Sequence, residues 1–471
     1  MNVQDIVEIT VDKFKQKLTE IYTSVEKAGQ LSPDLAIQIE FGLGESAMEA
    51  ARLGFTHLLE SFDIDEEVLE VDGEIYRRKP QSPKRFLTFL GEIEVNRTLY
   101  QRDCGGRSHI PLDESWGMRG EYATPRVKES ALFLMACMCP KEVEASLKKS
   151  SWFHPSSTLV KKLTADVGSF VEKNEEKFLD AIRSTEEVPS ETKSFVASMD
   201  GANVLLNEPG PRKGRPFERP CGEKNPEGKT SYRNAMVGSF SFYGDVPENH
   251  QCPERLLSKY LAHMPEEKAP TFKERFESEM RHWDSLLEGE VKKVFLADGH
   301  KSIWGYVKKK SEIFADYKMA VDFYHTTEHL SKAAEALFGK SSPEAQKWYY
   351  RWRENLLMEE GAARGVIRSI RYMLKSHKLS KSKREEVRKE LTFFRRNWRL
   401  MPYAVFREMG LPIGSGPVEA ACKSIVKTRM CRSGMRWSRK GGQYVLQLRT
   451  IVKSERWEPF WQEYLRLKNA A

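Results

Sequence analysis

The chain has 471 residues, 40% of them hydrophobic, with 76 Lys and Arg against 68 Asp and Glu for a net charge of +8. That is material for roughly two to four domains, and so mild a basic excess serves a polyanionic partner only if it is segregated along the chain. Seven scattered Cys argue against a disulfide framework; no apolar run approaches the ~20 residues that span a bilayer, and no signal-peptide pattern opens the chain, so a soluble cytoplasmic protein with no membrane partner is expected.

Residues 1–75 carry apolar positions at helical spacing, first Phe14, Leu18, Ile21 and Tyr22, then Leu35, Ile39 and Leu43, and are expected to be a helical region. Gly42-Leu-Gly44-Glu-Ser-Ala47 imitates a dinucleotide fingerprint, but no strand precedes it and no βαβ unit surrounds it. Residues 76–115 change character: Phe86, Phe89, Ile93, Val95, Leu99 and Tyr100 interleave with polar residues and predict a small β-hairpin unit. Residues 116–190 return to helical spacing. Within them Lys141 to Ser150, a turn through Pro155, and Ser157 to Phe170 fit a helix-turn-helix whose second helix opens at Ser156 or Ser157 and presents Lys161 and Lys162. An ordinary helical bundle fits that pattern equally well, because a helix pair by itself carries no base-reading signature.

Residues 191–325 hold two apolar runs of strand length, each ending in Asp-Gly: Ser194 to Asp200-Gly201, and Val294 to Asp298-Gly299. Each carboxylate should therefore stand where a buried strand ends and the chain turns. Between them lie a basic loop, with Arg212, Lys213 and Arg215, and an alternating strand from Ala235 to Tyr243. Beyond Asp298 a helix should contain Trp304, and Ala320 to Tyr324 reads as a short strand. Asp322 is thus a further carboxylate near the sheet edge, better explained as the cap of a helix beginning around His325. Residues 326–405 are polar and helical in pattern and form an α-helical insertion. Residues 406–471 open with Gly414-Ser-Gly-Pro417, a bend with a cap at Ser415 or Gly416 and a Pro for the first turn, after which Val418 to Val426 can run as helix and carry Glu419. Lys423, Lys427, Arg429, Arg432, Arg436, Arg439 and Lys440 follow, with Trp437 among them and no acid between Glu419 and Glu455. That composition fits a phosphate-binding surface.

Singly, Asp-Gly is a common turn, and a Glu in a first helical turn merely complements the helix dipole. Taken together, Asp200, Asp298 and Glu419 are three acids at the ends of core segments. Carboxylates gathered at one sheet edge repel one another unless cations separate them, and hard oxygen donors suit Mg²⁺ or Mn²⁺. Two such ions would make a phosphoryl-transfer site.

The ordered set resembles bacterial insertion-sequence transposases of the DDE class, most closely the ISKra type. The matching features are the two Asp-Gly pairs, Trp304 six residues after the second Asp, Pro412-Ile-Gly-Ser-Gly-Pro-Val-Glu-Ala-Ala-Cys-Lys423, and Arg429 followed by Ser433-Gly-Met-Arg-Trp437. The C-terminal block is the specific part. The resemblance implies an RNase H-like catalytic domain within a mixed α+β chain, interrupted by an all-α insertion. It also implies that Asp200, Asp298 and Glu419 are catalytic acids and metal ligands; Asp322 and His325, read from their own places near the sheet edge, are expected as supports beside them. Its substrate would be double-stranded DNA, both transposon ends and target, in a protein associated with bacterial chromosomal DNA. The family's paired zinc-ribbon Cys are reduced here to Cys104, so no zinc is expected there. Cutting and joining two ends in concert needs two active sites, hence a homo-oligomer on DNA.

Two other functions compete. His325-Thr-Thr-Glu328-His329 is an H-x-x-E-H string that could hold zinc with Glu328 as base, as in inverted zinc peptidases. It follows a short strand, announces no third ligand, and leaves Asp200, Asp298 and the Gly-Met-Arg-Trp block unexplained. A domesticated transposase that binds DNA without cutting is the other, and the presence of all three acids argues against it.

Overall fold

Asn2 and Asp5 cap each other: the Asp5 N–H donates to the Asn2 side chain at 2.9 Å and the Asn2 N–H to the Asp5 carboxylate at 3.0 Å, which fixes the start of the first helix. In the computed structural model, which describes residues 2–207 and 232–470, the chain is mixed α/β and clusters into two units. One comprises residues 1–178 and 460–471, the other 179–459. The basic loop of Arg212, Lys213 and Arg215 lies outside the described residues. Among those described, no helix is long and apolar enough to cross a membrane.

The first unit begins with the helices α1 (Val3–Ala28) and α2 (Pro33–Glu60), joined through Gly29 in the left-handed region at φ 69°. Three antiparallel strands follow, β1 (Val68–Val71), β2 (Glu74–Thr88) and β3 (Gly91–Gln101). The sheet thus starts inside the segment read as helical to residue 75. Phe86, Ile93 and Val95 pack with Leu59 of α2 and with Leu112 and Met118. Then come α3 (Pro111–Ser115), α4 (Pro125–Cys137), α5 (Pro140–Ser150) and α6 (Ser157–Lys173). The Ser156 hydroxyl accepts the Leu159 N–H at 3.2 Å, so α6 opens where its cap sequence predicts. Val160, Leu163, Val167 and Val171 bury one face of α6, while Lys161 and Lys162 are exposed.

Helix α7 (Glu175–Arg183) leads into the second unit, whose strands are β4 (Ser194–Leu205), β5 (Tyr232–Tyr243), β6 (Arg255–His263), β7 (Lys292–Ala297) and β8 (Lys318–Val321). The sheet order is β6-β5-β4-β7-β8, antiparallel through β6, β5 and β4, with β7 parallel to β4 and β8 parallel to β7. This is the arrangement expected of an RNase H-like domain. Strand alternation divides the core between the two faces. Phe195, Ala197 and Met199 face Phe272, Phe276 and Trp283 of α8 (Pro270–Leu286) and the apolar side of α9 (Lys301–Lys309). Val196, Val294 and Leu296 face the helices that follow β8.

Those helices are α10 (Phe323–Phe338), α11 (Pro343–Met358), α12 (Ala362–Ser376), α13 (Lys381–Asn397) and α14 (Tyr403–Glu408). The insertion begins three residues before its expected start, because Asp322 caps α10: its carboxylate accepts the His325 N–H at 2.6 Å. The chain returns through α15 (Gly416–Ala421), a π-helical stretch Cys422–Lys427, α16 (Thr428–Met430) and α17 (Arg439–Lys453), and α18 (Trp457–Asn469) ends it. Residues 460–471 group with the first unit, where Phe460 and Tyr464 pack on Phe178 and Phe170. The sequence alone runs the catalytic portion to 471.

Candidate active site

Register brings three aspartates to one level. Met199 of β4 pairs with Ala297 of β7, and Ala297 with Val321 of β8, so Asp200, Asp298 and Asp322 are each the next residue on three adjacent parallel strands. Neighbouring strands lie about 4.8 Å apart, which makes this a row of acids at one sheet edge. Helix α15 adds Glu419. All four line one cavity of about 330 Å³ together with His325, Glu328, Cys422, Lys423 and Lys427. The three sequence-predicted catalytic acids, separated by more than 200 residues of chain, are therefore in one place.

Each acid is held by a different device. Asp200 is half-buried within β4; the Gly201 N–H donates to its Oδ1 at 2.6 Å and the Cys422 thiol to its Oδ2 at 3.5 Å. Burial pushes its carboxyl above the ordinary aspartate range, and the charge of Asp298 adds to this against the Gly201 bond. Asp298 accepts the His300 N–H at 3.0 Å through Oδ1, and its carbonyl takes the Trp304 indole N–H at 2.7 Å. That indole bond is the physical role of the Trp six residues on. Gly299 has to be glycine for steric reasons: a Cβ there would lie 2.3 Å from the Phe393 ring. Arg396 of α13 donates to the Gly299 carbonyl at 2.6 Å, so a helix of the insertion braces the loop that carries Asp298.

Glu419 stands at the cavity mouth. As a residue it is exposed, yet partial burial of its carboxyl, then the charges of Asp322 and Asp200, raise it above the ordinary glutamate range, with Lys423 opposing. Ser415 begins α15 without capping it. Its N–H and hydroxyl both go to Asp322 Oδ2, the hydroxyl at 2.9 Å. Asp322 is 1% exposed and its carboxylate is committed to His325 and Ser415, so it acts as a fastener. The expectation of a cap is met, and the second bond to Ser415 had no signal in the sequence.

The basic segment divides. Lys423, Lys427, Arg432, Arg436, Arg439 and Lys440 are exposed, and the first two flank the acids. Arg429 does not belong with them: it is 1% exposed, with its guanidinium 5.1 Å from the centre of the Trp437 ring. Its place is in the packing, which corrects its assignment to a DNA-facing surface. Trp437 bridges backbone to backbone with the end of β4, its N–H donating to the Leu205 carbonyl at 3.0 Å, and its indole N–H reaches the Met430 carbonyl at 2.9 Å. The Gly-Met-Arg-Trp block is thereby pinned beside the strand that carries Asp200. A π-helical stretch, a form that recurs at functional sites, carries Cys422, Lys423 and Lys427.

The H-x-x-E-H string is also brought together. His325 and His329 face each other, Nε2 to Nε2, at 3.3 Å, and His329 Nδ1 lies 2.5 Å from Glu390 of α13. Among the described residues no three His, Cys, Asp or Glu side chains already form a metal-ligating group. In kind, however, Asp200, Asp298 and Glu419 fit a hard divalent cation: all are oxygen donors, and two have carboxyls raised partly by neighbouring negative charge, a cost that a cation relieves.

Compared with known proteins, the chain is similar to two UPF0236 proteins of Caldanaerobacter subterraneus subsp. tengcongensis. It is 22% identical to one over 447 residues, 94% of this chain and 83% of the relative. It is 21% identical to the other over 457 residues, 96% of this chain and 80% of the relative. No family model matches the chain.

Proposed function

We propose that the chain is a DDE transposase of an insertion sequence, cleaving transposon-end DNA and joining it to target DNA. The observation that carries this is the common cavity of Asp200, Asp298 and Glu419 at the parallel edge of the sheet, supported by the resemblance of the sequence blocks around them. Asp200, Asp298 and Glu419 would hold one or two Mg²⁺ or Mn²⁺ ions. When bound, such ions supply charge stabilisation at the entering and leaving oxygens of an in-line displacement. The chain's own groups do the rest. Lys423 and Lys427 set positive charge beside the acids for the scissile phosphate. Arg432, Arg436, Arg439 and Lys440 continue that charge along the backbone of the DNA. The Asp322–Ser415 fastening and the Gly299–Arg396 brace fix the geometry in which water attacks the end phosphodiester and the freed 3′-hydroxyl attacks target DNA.

On this reading the protein works on the bacterial chromosome in the cytoplasm, and assembles as a homo-oligomer on DNA. The test is incubation of the full chain with DNA carrying the ends of its own element and Mg²⁺. Free 3′-hydroxyl ends and joined products are expected; DNA binding with no cleavage in either metal would favour a domesticated binding protein. Inverted repeats bordered by short direct duplications around the gene are expected as the genomic signature.

A further inference from the structure

His325 at the cavity wall and His329 behind it have a feature that neither the cap nor the acids explain. A carboxylate only accepts, so the 2.5 Å contact with Glu390 places a proton on His329 Nδ1. A neutral imidazole has a single N–H, so His329 Nε2 is then an acceptor. With His329 neutral, the donor across the 3.3 Å separation from His325 Nε2 is His325. That leaves His325 Nδ1 with its lone pair on a residue that lines the cavity of Asp200, Asp298 and Glu419. The chain Glu390, His329, His325 thus fixes one tautomer at each ring. The His329 ring is stacked on Phe393 at 3.6 Å, and Phe393 packs under Gly299 beside Asp298. Two half-buried imidazoles in register with a carboxylate are more than a solvated helix face needs, and the carboxylate comes from the helical insertion.

We propose that His325 carries the proton of the strand-cleavage and joining reactions, with His329 and Glu390 as its positioning residues; this rests on the reading of the cavity as a DNA strand-transfer site. In cleavage, the O–H bond of the attacking water breaks as its oxygen bonds to phosphorus, and the proton forms an N–H bond at His325 Nδ1. The P–O3′ bond breaks with its electron pair on the leaving 3′-oxygen, which then takes the proton back from Nδ1. In joining, the 3′-hydroxyl gives up its proton in the same way, and the leaving 3′-oxygen of the target receives it. Proton count and charge close in both steps. Glu390 stabilises the transient imidazolium through His329, as an orienting carboxylate does for a catalytic histidine. The insertion would then be part of the chemistry as well as of the fold.

The test uses the full chain with end DNA and Mg²⁺ in single turnover, beside ¹⁵N spectra of the histidine-labelled protein. His325→Ala should slow cleavage about a hundredfold, and added imidazole should restore part of the rate. In the spectra His329 should be protonated at Nδ1 only; Glu390→Gln, which still accepts a hydrogen bond, should keep that tautomer, and Glu390→Ala should lose it. If His329→Ala does not fold, the Glu390 pair still decides the positioning role. Cleavage by His325→Ala at the unaltered rate, or a loss that imidazole does not restore, overturns the relay while leaving the strand-transfer reading in place. Absence of any cleavage by the unaltered chain sinks that reading and the relay with it.

Discussion

The Asp322 carboxylate accepts both the backbone N–H and the hydroxyl of Ser415, which fastens the bend before Glu419 to the end of β8. One residue thus starts the helical insertion and closes the loop that returns from it, 93 residues later. Because the bond is buried, Ser415→Ala should cost about 1 kcal/mol and Asp322→Ala more, since the latter leaves two backbone N–H groups without their acceptor. The measurement is denaturant unfolding with DNA cleavage alongside. Gly414→Ala belongs with them, because its Cβ would lie 2.8 Å from the Tyr324 ring. A Ser415→Ala protein with unchanged stability and cleavage would remove the fastening from the account of Glu419.

Replacing the acids should separate stability from activity. Asp200→Asn, Asp298→Asn and Glu419→Gln should each lower cleavage on the order of a thousandfold or more, with DNA binding retained. Asp200 and Glu419 have carboxyls raised in the fold, so the native state holds their protons more tightly than the unfolded chain does. Their ionisation therefore costs stability as pH rises through and above the ordinary carboxylate range, and nothing in acid. Asp200→Asn and Glu419→Gln should accordingly raise the melting temperature at neutral pH, with the gain fading as pH falls towards about 4. Mg²⁺ should raise the melting temperature of the unaltered protein more than that of either variant.

Neutralising exposed cations should act on all DNA alike. Arg432→Gln, Arg436→Gln and Arg439→Gln are each expected to weaken binding regardless of sequence and to flatten the dependence on log salt by about 0.9 per lost phosphate contact. Arg429→Gln should lower stability by about 1–2 kcal/mol through its lost stacking on Trp437, without changing the salt slope. A fall in binding to one sequence alone would mark the three exposed arginines as base-reading residues.

The His pair gives a metal test that needs no DNA. If the cavity is a strand-transfer site, the purified protein should contain no stoichiometric zinc that His325→Ala removes. Bound zinc lost on that substitution, with peptide hydrolysis, would replace the nuclease reading by the peptidase one.

Assembly can be probed on α1, where Val3, Val7 and Val11 recur at four-residue spacing and are 71%, 48% and 55% exposed. Removal of residues 1–75 would be a poor test, since it cuts away β1 and Leu59, which packs with Phe86 and Ile93. Val7→Glu with Val11→Glu should instead leave the melting temperature unchanged and reduce the mass of the complex on end DNA, measured by light scattering. An unaltered complex would take α1 out of the assembly.

Sequence by itself located the core segments that carry Asp200, Asp298 and Glu419. The apolar run closed by Asp298-Gly299 marked where β7 ends, the Gly-Ser-Gly-Pro bend marked the helix of Glu419, and the Ser156 and Asp322 caps marked α6 and α10, because strand length, turn chemistry and capping are local properties; at Asp200-Gly201 the expected turn is absent, since pairing with β5 carries β4 on to Leu205. Which residues meet was decided only by the tertiary structure. The common level of Asp200, Asp298 and Asp322 follows from strand register, and the bonds of Asp322 to Ser415, Cys422 to Asp200 and His329 to Glu390 join residues 61 to 222 positions apart. Arg429 looked like its basic neighbours, since a run of cations reads as one surface. Its burial under Trp437 depends on the way the chain turns back against β4, a contact between distant segments that no local pattern records.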